Sequence, residues 1–167
     1  MKTIFFSIFM ALIIFNSQAQ ESEKTTYYFI RHAEKDRSDD TNKNPNLNEK
    51  GLLRAENWST VFENVAFDEI YSTDYNRTIQ TATPTAESKH LEIKFYNPAN
   101  LYDEGFEFKT KGKTVLIVGH SNTTPQFVNK ILGKEKYPDI DDANNSNLYI
   151  ITITNNVLND ILLVINL

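Results

Sequence analysis

The sequence predicts an α/β domain of three layers, in which helices flank a mainly parallel sheet that ends in an antiparallel pair of strands. Three observations carry this prediction. Short β-branched and aromatic runs alternate with helical segments along the chain. Residues 114–118 (TVLIV) are apolar on both faces, as a central parallel strand should be. Residues 148–154 and 160–165 are two further strands around the turn-forming pair Asn155-Asn156.

The other elements follow from local patterns and from helix-boundary signals. The predicted strands are residues 25–30, 69–72, 91–96, 114–118, 148–154 and 160–165. The predicted helices are residues 49–62, 75–88, 98–109 and 125–132. We expect Asn48 and Asp74 to cap the first two helices, Pro84 to kink or interrupt the second, and Gly133 to end the last. The apolar face of the first helix is assigned to Leu52, Leu53, Trp58, Val61 and Phe62.

Composition restricts the classes of function. The chain has 167 residues, of which 40% are hydrophobic, which is enough for one domain with a core and too little for two. It has no cysteine, which excludes a disulfide scaffold, a cysteine nucleophile, a cysteine-ligated zinc site and an iron–sulfur cluster. The histidines are His32, His90 and His120, and we interpret His90 as structural. A net charge of −5 argues against nucleic acid as a partner.

The first residues have the layout of a secretory signal peptide. Lys2 precedes an apolar run from Ile4 to Phe15, and the small residues Ser17 and Ala19 follow it. The run is short for a membrane span, although an uncleaved anchor is the alternative. We therefore expect residues 1–19 to be a signal peptide and residues 20–167 to be the folded domain. The exported protein would be periplasmic or secreted, without a membrane attachment after cleavage.

Two arginines and two histidines follow three of the predicted strands. Arg31 and His32 end the first strand, Arg77 begins the helix after strand 69–72, and His120 follows strand 114–118. Because a site in such a sheet lies beyond the carboxyl ends of the strands, these side chains should meet. Arginine forks match phosphate oxygens, a neutral imidazole can attack phosphorus, and the second histidine can donate to an equatorial oxygen. No metal or other cofactor is required, since the arginines supply positive charge.

These segments resemble the histidine phosphatase superfamily, the phosphoglycerate mutase-like clan, over nearly all of residues 20–167. Arg31-His32-Ala33-Glu34 is similar to its RHG/RHA signature, and residues 71–82 and 115–123 are similar to the segments that carry its second arginine and second histidine. The resemblance implies that His32 is the nucleophile and that Arg31, Arg77 and His120 bind the phosphoryl group. It implies a metal-independent phosphatase acting on a small phosphorylated substrate or a phosphoprotein.

The proton donor for the leaving oxygen is less defined. In one branch of the superfamily an acid follows the second arginine by about two dozen residues, and Asp103 and Glu104 stand there. In the other branch an aspartate follows the second histidine directly, where this chain has Ser121. Without an acid, the enzyme would favour good leaving groups such as phosphohistidine, acyl phosphates or aryl phosphates. Arg37 and Ser38 could add donors to the pocket.

Two alternatives stay open at this point. A phosphoglycerate mutase-like phosphotransferase would use the same residues, but the short interval between Arg77 and His120 leaves room for only one strand and one helix, so the pocket should be open and shallow. A non-catalytic module that binds phosphorylated ligands would need the arginines but not His32. The sequence does not indicate the natural substrate or the oligomeric state.

Overall fold

A computed structural model describes residues 23–166 of the chain. The predicted signal peptide lies outside these residues. The described part of the chain forms the strands β1 (Lys24–Arg31), β2 (Glu69–Ser72), β3 (Ile93–Phe95), β4 (Thr114–Gly119), β5 (Asn147–Thr154) and β6 (Val157–Val164). It forms the helices α1 (Glu49–Val61), α2 (Asn76–Lys89), α3 (Glu104–Thr110) and α4 (Thr123–Leu132). None of these helices has the length and hydrophobicity needed to cross a membrane.

The strands form one mixed sheet in the order β3-β2-β4-β1-β5-β6. The first four strands of this order are parallel, whereas β5 pairs antiparallel with β1 and with β6. Parallel pairing aligns the carboxyl ends of β1, β2 and β4, with Arg31 beside Gly119 and Ser72 beside Val118. The predicted fold class, including the antiparallel C-terminal pair, is confirmed.

A hydrophobic core lies on each face of the sheet. On one face, Trp58 and Phe62 of the α1 region and Ala82 and Ala86 of α2 pack against the strands. On the other face, aromatic and aliphatic side chains of α3 and α4 pack against the strands, with Phe127 at their centre. The three layers predicted from the alternation of elements are therefore present, and they leave the carboxyl ends of the parallel strands free for side chains of the loops.

The apolar face predicted for α1 is partly wrong. Leu52, Leu53 and Val61 are exposed, whereas the buried positions of the helix are Gly51, Arg54, Ala55 and Trp58. These buried positions are three or four residues apart and therefore share one face. Arg54 belongs to that face because its guanidinium is neutralised: Nε and Nη2 donate to the Glu34 carboxylate at 2.9–3.1 Å.

Further details of the helices differ from the prediction. Asp74 is not the cap of α2, which begins after Tyr75 without a side-chain cap. Pro84 does not interrupt α2, because buried threonine and alanine side chains on both sides of it hold the helix against the core. Helix α3 begins at Glu104 rather than Pro98, since the Asp103 carboxylate caps it by accepting from the Phe106 N–H at 2.7 Å.

Candidate active site

The four side chains predicted to meet line one cavity of about 360 Å³ at the carboxyl ends of β1, β2 and β4. Arg31 and His32 lie at the end of β1, Arg77 is in the first turn of α2, and His120 directly follows β4. The rings of His32 and His120 meet edge to face, with their centroids 5.5 Å apart. Lys35, Tyr75 and Asp142 are also part of the cavity wall.

The tautomer of His32 is fixed by a hydrogen bond to the backbone. Its Nδ1 lies 2.7 Å from the Ala33 carbonyl oxygen, and because a carbonyl can only accept, Nδ1 carries the proton. The lone pair is therefore on Nε2. Burial, together with the charges of Arg31, His120 and Arg77, lowers the pKa of His32 to about 3 against the opposing effect of the Ala33 hydrogen bond. The imidazole is consequently neutral at physiological pH and can attack phosphorus.

Arg31 is buried and held from one side by a loop. Its Nη1 donates to the carbonyl oxygens of Asp141, Asp142 and Asn144 at 2.9–3.1 Å, and its Nη2 donates to the Asp142 carboxylate at 2.8 Å. Its Nε is buried and has no partner among the described residues. The loop thus holds the end of the guanidinium, while the edge formed by Nε and Nη2 retains donors for an oxyanion.

Arg77 supplies further donors and makes contact with His120. Its Nε and Nη1 are buried without a partner in the described part of the chain. Its Nη2 lies 3.3 Å from His120 Nδ1, and its guanidinium carbon lies 4.5 Å from the ring centre of Tyr75. Since arginine can only donate, Nδ1 of His120 accepts in this arrangement. Buried donors without partners are rare in folded proteins, and those of Arg31 and Arg77 indicate a site for an anion.

The other nitrogen of His120 faces a chain of hydroxyl groups. Nε2 lies 2.9 Å from Thr73 Oγ1, which lies 3.0 Å from Thr78 Oγ1, and Thr78 Oγ1 donates to the carbonyl oxygens of Thr73 and Tyr75 at 2.9 Å. With Nδ1 accepting from Arg77, the Nε2–H donates to Thr73. Burial and the nearby charges of Arg77, Arg31 and Lys35 lower the pKa of His120 to about 4.

Sequence reasoning missed several residues that position the site. Thr73 and Thr78 orient His120, and Thr81 links the Ala33 N–H, at 2.9 Å, to the Arg77 carbonyl, at 2.7 Å. The Asn145 amide donates to the His32 carbonyl at 2.7 Å. The run of threonines after β2 and in α2 was the available signal, but a helical threonine alone does not indicate which partner it meets.

The predicted proton donors lie elsewhere. Asp103 uses its carboxylate as the cap of α3 and also accepts from the Asn100 amide at 2.5 Å, and Glu104 is exposed in the first turn of that helix. Neither residue lines the cavity that holds His32. Ser38 and Arg37 do not line it either, but Arg37 donates to the carboxylate of Asp142, which does, at 2.6 Å. The assignment of Asp103 or Glu104 as the donor stays a prediction.

A second cavity of about 520 Å³ adjoins the first. Both cavities share the side chains of Arg31, His32, Lys35 and Asp142. Arg37, Glu34 and Lys50 line only the second one. The site therefore has room beside the anion-binding donors for the remainder of a substrate.

Part of the sequence is similar to a known protein family. Residues 27–97 match the model of the histidine phosphatase superfamily, branch 1. No curated protein matches the sequence significantly.

Solved structures share the fold at low sequence identity. SixA from Agrobacterium tumefaciens, named as a phosphohistidine phosphatase, superposes with a TM-score of 0.62 at 19% identity, covering 83% of this chain and 97% of its own. The alpha-ribazole phosphatase of Shigella flexneri gives 0.63 at 16% identity, covering 85% and 96%. A mycobacterial glucosyl-3-phosphoglycerate phosphatase gives 0.62 at 12% identity, covering 86% and 99%. The resemblance inferred from the sequence is therefore confirmed: this chain has the fold of the histidine phosphatases, and its residues 27–97 match the model of branch 1 of that superfamily.

Proposed function

We propose that the protein is a phosphatase that hydrolyses phosphomonoesters or related phosphoryl compounds through a covalent phosphohistidine on His32. The observation that carries the proposal is the set of unpartnered guanidinium donors on Arg31 and Arg77 around the neutral imidazole of His32. The match to the histidine phosphatase superfamily and the fold shared with phosphatases support it.

The first half of the reaction transfers the phosphoryl group to the protein. The free donors of Arg31 and Arg77 hold the phosphoryl oxygens and neutralise their charge, which is about −1.5 to −2 near pH 7. The Nε2 lone pair of His32 attacks phosphorus in line while the bond to the leaving oxygen breaks. As the ring gains positive charge, the hydrogen bond from Nδ1 to the Ala33 carbonyl stabilises it.

The second half returns His32 to its starting state. A water molecule attacks the phosphohistidine, the N–P bond breaks, and inorganic phosphate leaves. His120 contributes a donor to a phosphoryl oxygen only when Nδ1 is protonated, because Nε2–H already donates to Thr73. A bound dianion favours that proton by raising the pKa of His120 from its value of about 4 in the free protein. In this mechanism the arginines supply the charge that a metal ion supplies in other phosphatases.

A rapid-quench experiment with a ³²P-labelled aryl phosphate and excess chelator tests the mechanism. We expect phosphate on the protein that is labile in acid and stable in alkali, and we expect it to be absent in His32→Asn. His90→Asn is the matched control, because His90 lies at the end of α2, outside the cavity, and asparagine tolerates its left-handed backbone.

The outcome also separates the alternatives. Labelled protein in His32→Asn would remove His32 as the nucleophile. No phosphate release by the wild type between mildly acidic and neutral pH would indicate a module that only binds phosphorylated ligands.

We further propose that the protein is exported and that cleavage follows Ala19. The support is the sequence of residues 1–19, which lie outside the described part of the chain. The intact mass of the protein recovered from outside the cytoplasm tests this proposal: it should correspond to a chain that begins at Gln20. A chain that retains the apolar run in a membrane fraction would instead indicate an anchor.

A further inference from the structure

The proposed reaction on an alkyl ester needs a proton for the leaving oxygen, and the Asp142 and Glu34 carboxylates are poorly suited to supply it. Asp142 receives hydrogen bonds from Arg31 and Arg37, which hold the pKa of its carboxyl below the usual range. Burial raises the pKa of Glu34, but the hydrogen bonds from Arg54 outweigh it, so that the net shift is downward. Both carboxyl groups are therefore ionised, and without a proton to donate, near neutral pH.

Lys35 lies in the same place and carries the protons that these carboxylates lack. Its side chain lines the cavity that holds His32, His120 and Arg77, and it also lines the adjoining cavity. Its backbone is fixed by a β-bridge to Leu47. Among the described residues its ammonium has neither a hydrogen bond nor an ion pair, so its three N–H groups are available to a substrate.

We propose that Lys35 is the general acid and base of the reaction, donating an Nζ proton to the leaving oxygen. The inference rests on the proposed phosphatase function and deepens it. When His32 attacks phosphorus, the electron pair of the breaking P–O bond passes to the leaving oxygen, which takes one proton from the ammonium and departs as an alcohol. Lys35 is then a neutral amine. In the second step the amine takes a proton from the attacking water, and the ammonium is restored as the N–P bond breaks.

The surroundings of Lys35 favour this proton transfer. Partial burial lowers the pKa of its ammonium, and so do the charges of Arg37, Arg77 and Arg31, with Asp142 opposing them. His32 and His120, which line the same cavity, are neutral and leave this balance unchanged. A lysine with a lowered pKa is a better acid than an ordinary lysine, and lysines are used for such proton transfers in other enzymes.

Two substitutions separate proton donation from charge. Lys35→Arg keeps the positive charge but cannot release a proton, and Lys35→Met removes both. Each variant would be assayed on glycerol 2-phosphate, whose leaving alkoxide needs a proton, and on 2,4-dinitrophenyl phosphate, whose leaving phenolate does not. General acid catalysis typically contributes about 100-fold or more. We therefore expect both variants to lose at least about 100-fold in kcat/KM on the alkyl ester, and Lys35→Arg to stay within about threefold of wild type on the aryl ester.

A pH profile and a matched control complete the experiment. The kcat/KM on the alkyl ester, which reports phosphoryl transfer to His32, should fall at alkaline pH as Lys35 loses its proton. The kcat/KM on the aryl ester should not fall in this way, because its leaving group needs no proton. Lys43→Met and Lys43→Arg are the controls, because Lys43 lies in the same loop but is exposed and lines neither cavity. Both should match the wild type on both esters.

Several results would overturn the assignment. If Lys35→Arg retains the alkyl reaction, Lys35 acts by charge alone. If both variants lose both reactions equally, the residue serves binding or folding. A selective loss of the alkyl reaction in Asp103→Asn, Glu104→Gln or Tyr75→Phe, with Lys35→Arg active, would place the donor there. The aryl ester keeps the proposals distinct: acid-labile phosphate on His32 still tests the nucleophile when Lys35 is replaced.

Discussion

The Asp142 carboxylate accepts a hydrogen bond from the Arg31 guanidinium, which is also the group that binds the phosphoryl oxygens in the proposed mechanism. The distance from Arg31 Nη2 to Asp142 Oδ1 is 2.8 Å, and the carboxylate also accepts from Arg37 Nη2 at 2.6 Å. Asp142 is otherwise well exposed. The negative charge of Asp142 therefore competes with an incoming oxyanion for the Nη2 donor of Arg31.

Asp142→Asn should therefore tighten the binding of anions. Loss of the charge beside Arg31 favours binding of the oxyanion by roughly 1 kcal/mol. The inhibition constant of vanadate or inorganic phosphate should therefore be about fivefold lower than in the wild type. The backbone carbonyls that hold Nη1 stay in place. Inhibition of aryl phosphate hydrolysis measures the effect, and Asp139→Asn, an exposed residue of the same loop, is the control. Weaker inhibition in Asp142→Asn would show that this carboxylate helps to build the anion site.

Thr73→Val should destabilise the fold through His120. Valine has nearly the same shape as threonine but cannot accept from Nε2–H, which would leave that group buried without a partner at a cost of about 1–3 kcal/mol. The proton cannot move to Nδ1, because that nitrogen accepts from Arg77. We therefore expect the free energy of unfolding to fall by about 1–3 kcal/mol in urea denaturation, while the ¹⁵N NMR shifts of the ring still show the Nε2–H tautomer. Thr73→Ser, which restores the hydroxyl, should recover the stability. Equal stability of Thr73→Val and the wild type would contradict the hydrogen bond assigned here.

Stability should fall as the pH decreases from 7 to 5. The pKa values of His32 and His120 are lowered to about 3 and about 4, so the unfolded chain takes up protons near pH 6.5 while the folded chain does not. Each histidine should reduce the free energy of unfolding by about 2 kcal/mol over this interval. The carboxylates with lowered pKa values contribute only at more acidic pH. Urea denaturation at both pH values measures the loss, and His32→Asn or His120→Asn should remove about half of it. An equal loss in these variants would assign it to other groups.

Gly51→Ala should destabilise the fold. A Cβ at position 51 would lie 2.1 Å from the Glu34 carbonyl oxygen and 3.0 Å from two further backbone atoms of Glu34, so α1 would have to move away from the segment that follows His32. Overpacking of this kind costs about 3 kcal/mol. Leu53→Ala in the same helix is exposed, with 62% of its surface accessible, and should change the unfolding free energy by less than about 0.5 kcal/mol. Equal stability of the two variants would show that the contact relaxes without cost.

The sequence predicted correctly those features that depend on the local preference of a single residue or of a short run. Asn48 caps α1 by accepting from the Gly51 N–H at 2.9 Å, Gly133 ends α4 in the left-handed conformation, and β2 has the predicted bounds Glu69–Ser72. The convergence of Arg31, His32, Arg77 and His120 in one cavity follows from the order of the strands, since side chains at the ends of adjacent parallel strands must be close.

The features that the sequence did not predict depend on contacts between distant residues. The buried face of α1 includes Arg54 because Glu34, far away in the chain, neutralises it, whereas Leu52 and Leu53 have no core to meet. The resemblance to the superfamily suggests Asp103 or Glu104 as the proton donor, but it does not indicate that the Asp103 carboxylate accepts from the backbone of α3. No sequence motif predicts the hydrogen bond between Thr73 and His120, or the backbone carbonyl groups that accept from Arg31.

The turn between β5 and β6 is a suitable place to attach a label or a surface tether. Asn155 and Asn156 both adopt positive φ there, and the pairing of Thr154 with Lys24 places them at the amino end of β1, across the sheet from His32. A reporter dye or a surface tether introduced at this hairpin tip would leave the catalytic rim facing the solution, so that turnover and ligand capture could be followed on an immobilised sample.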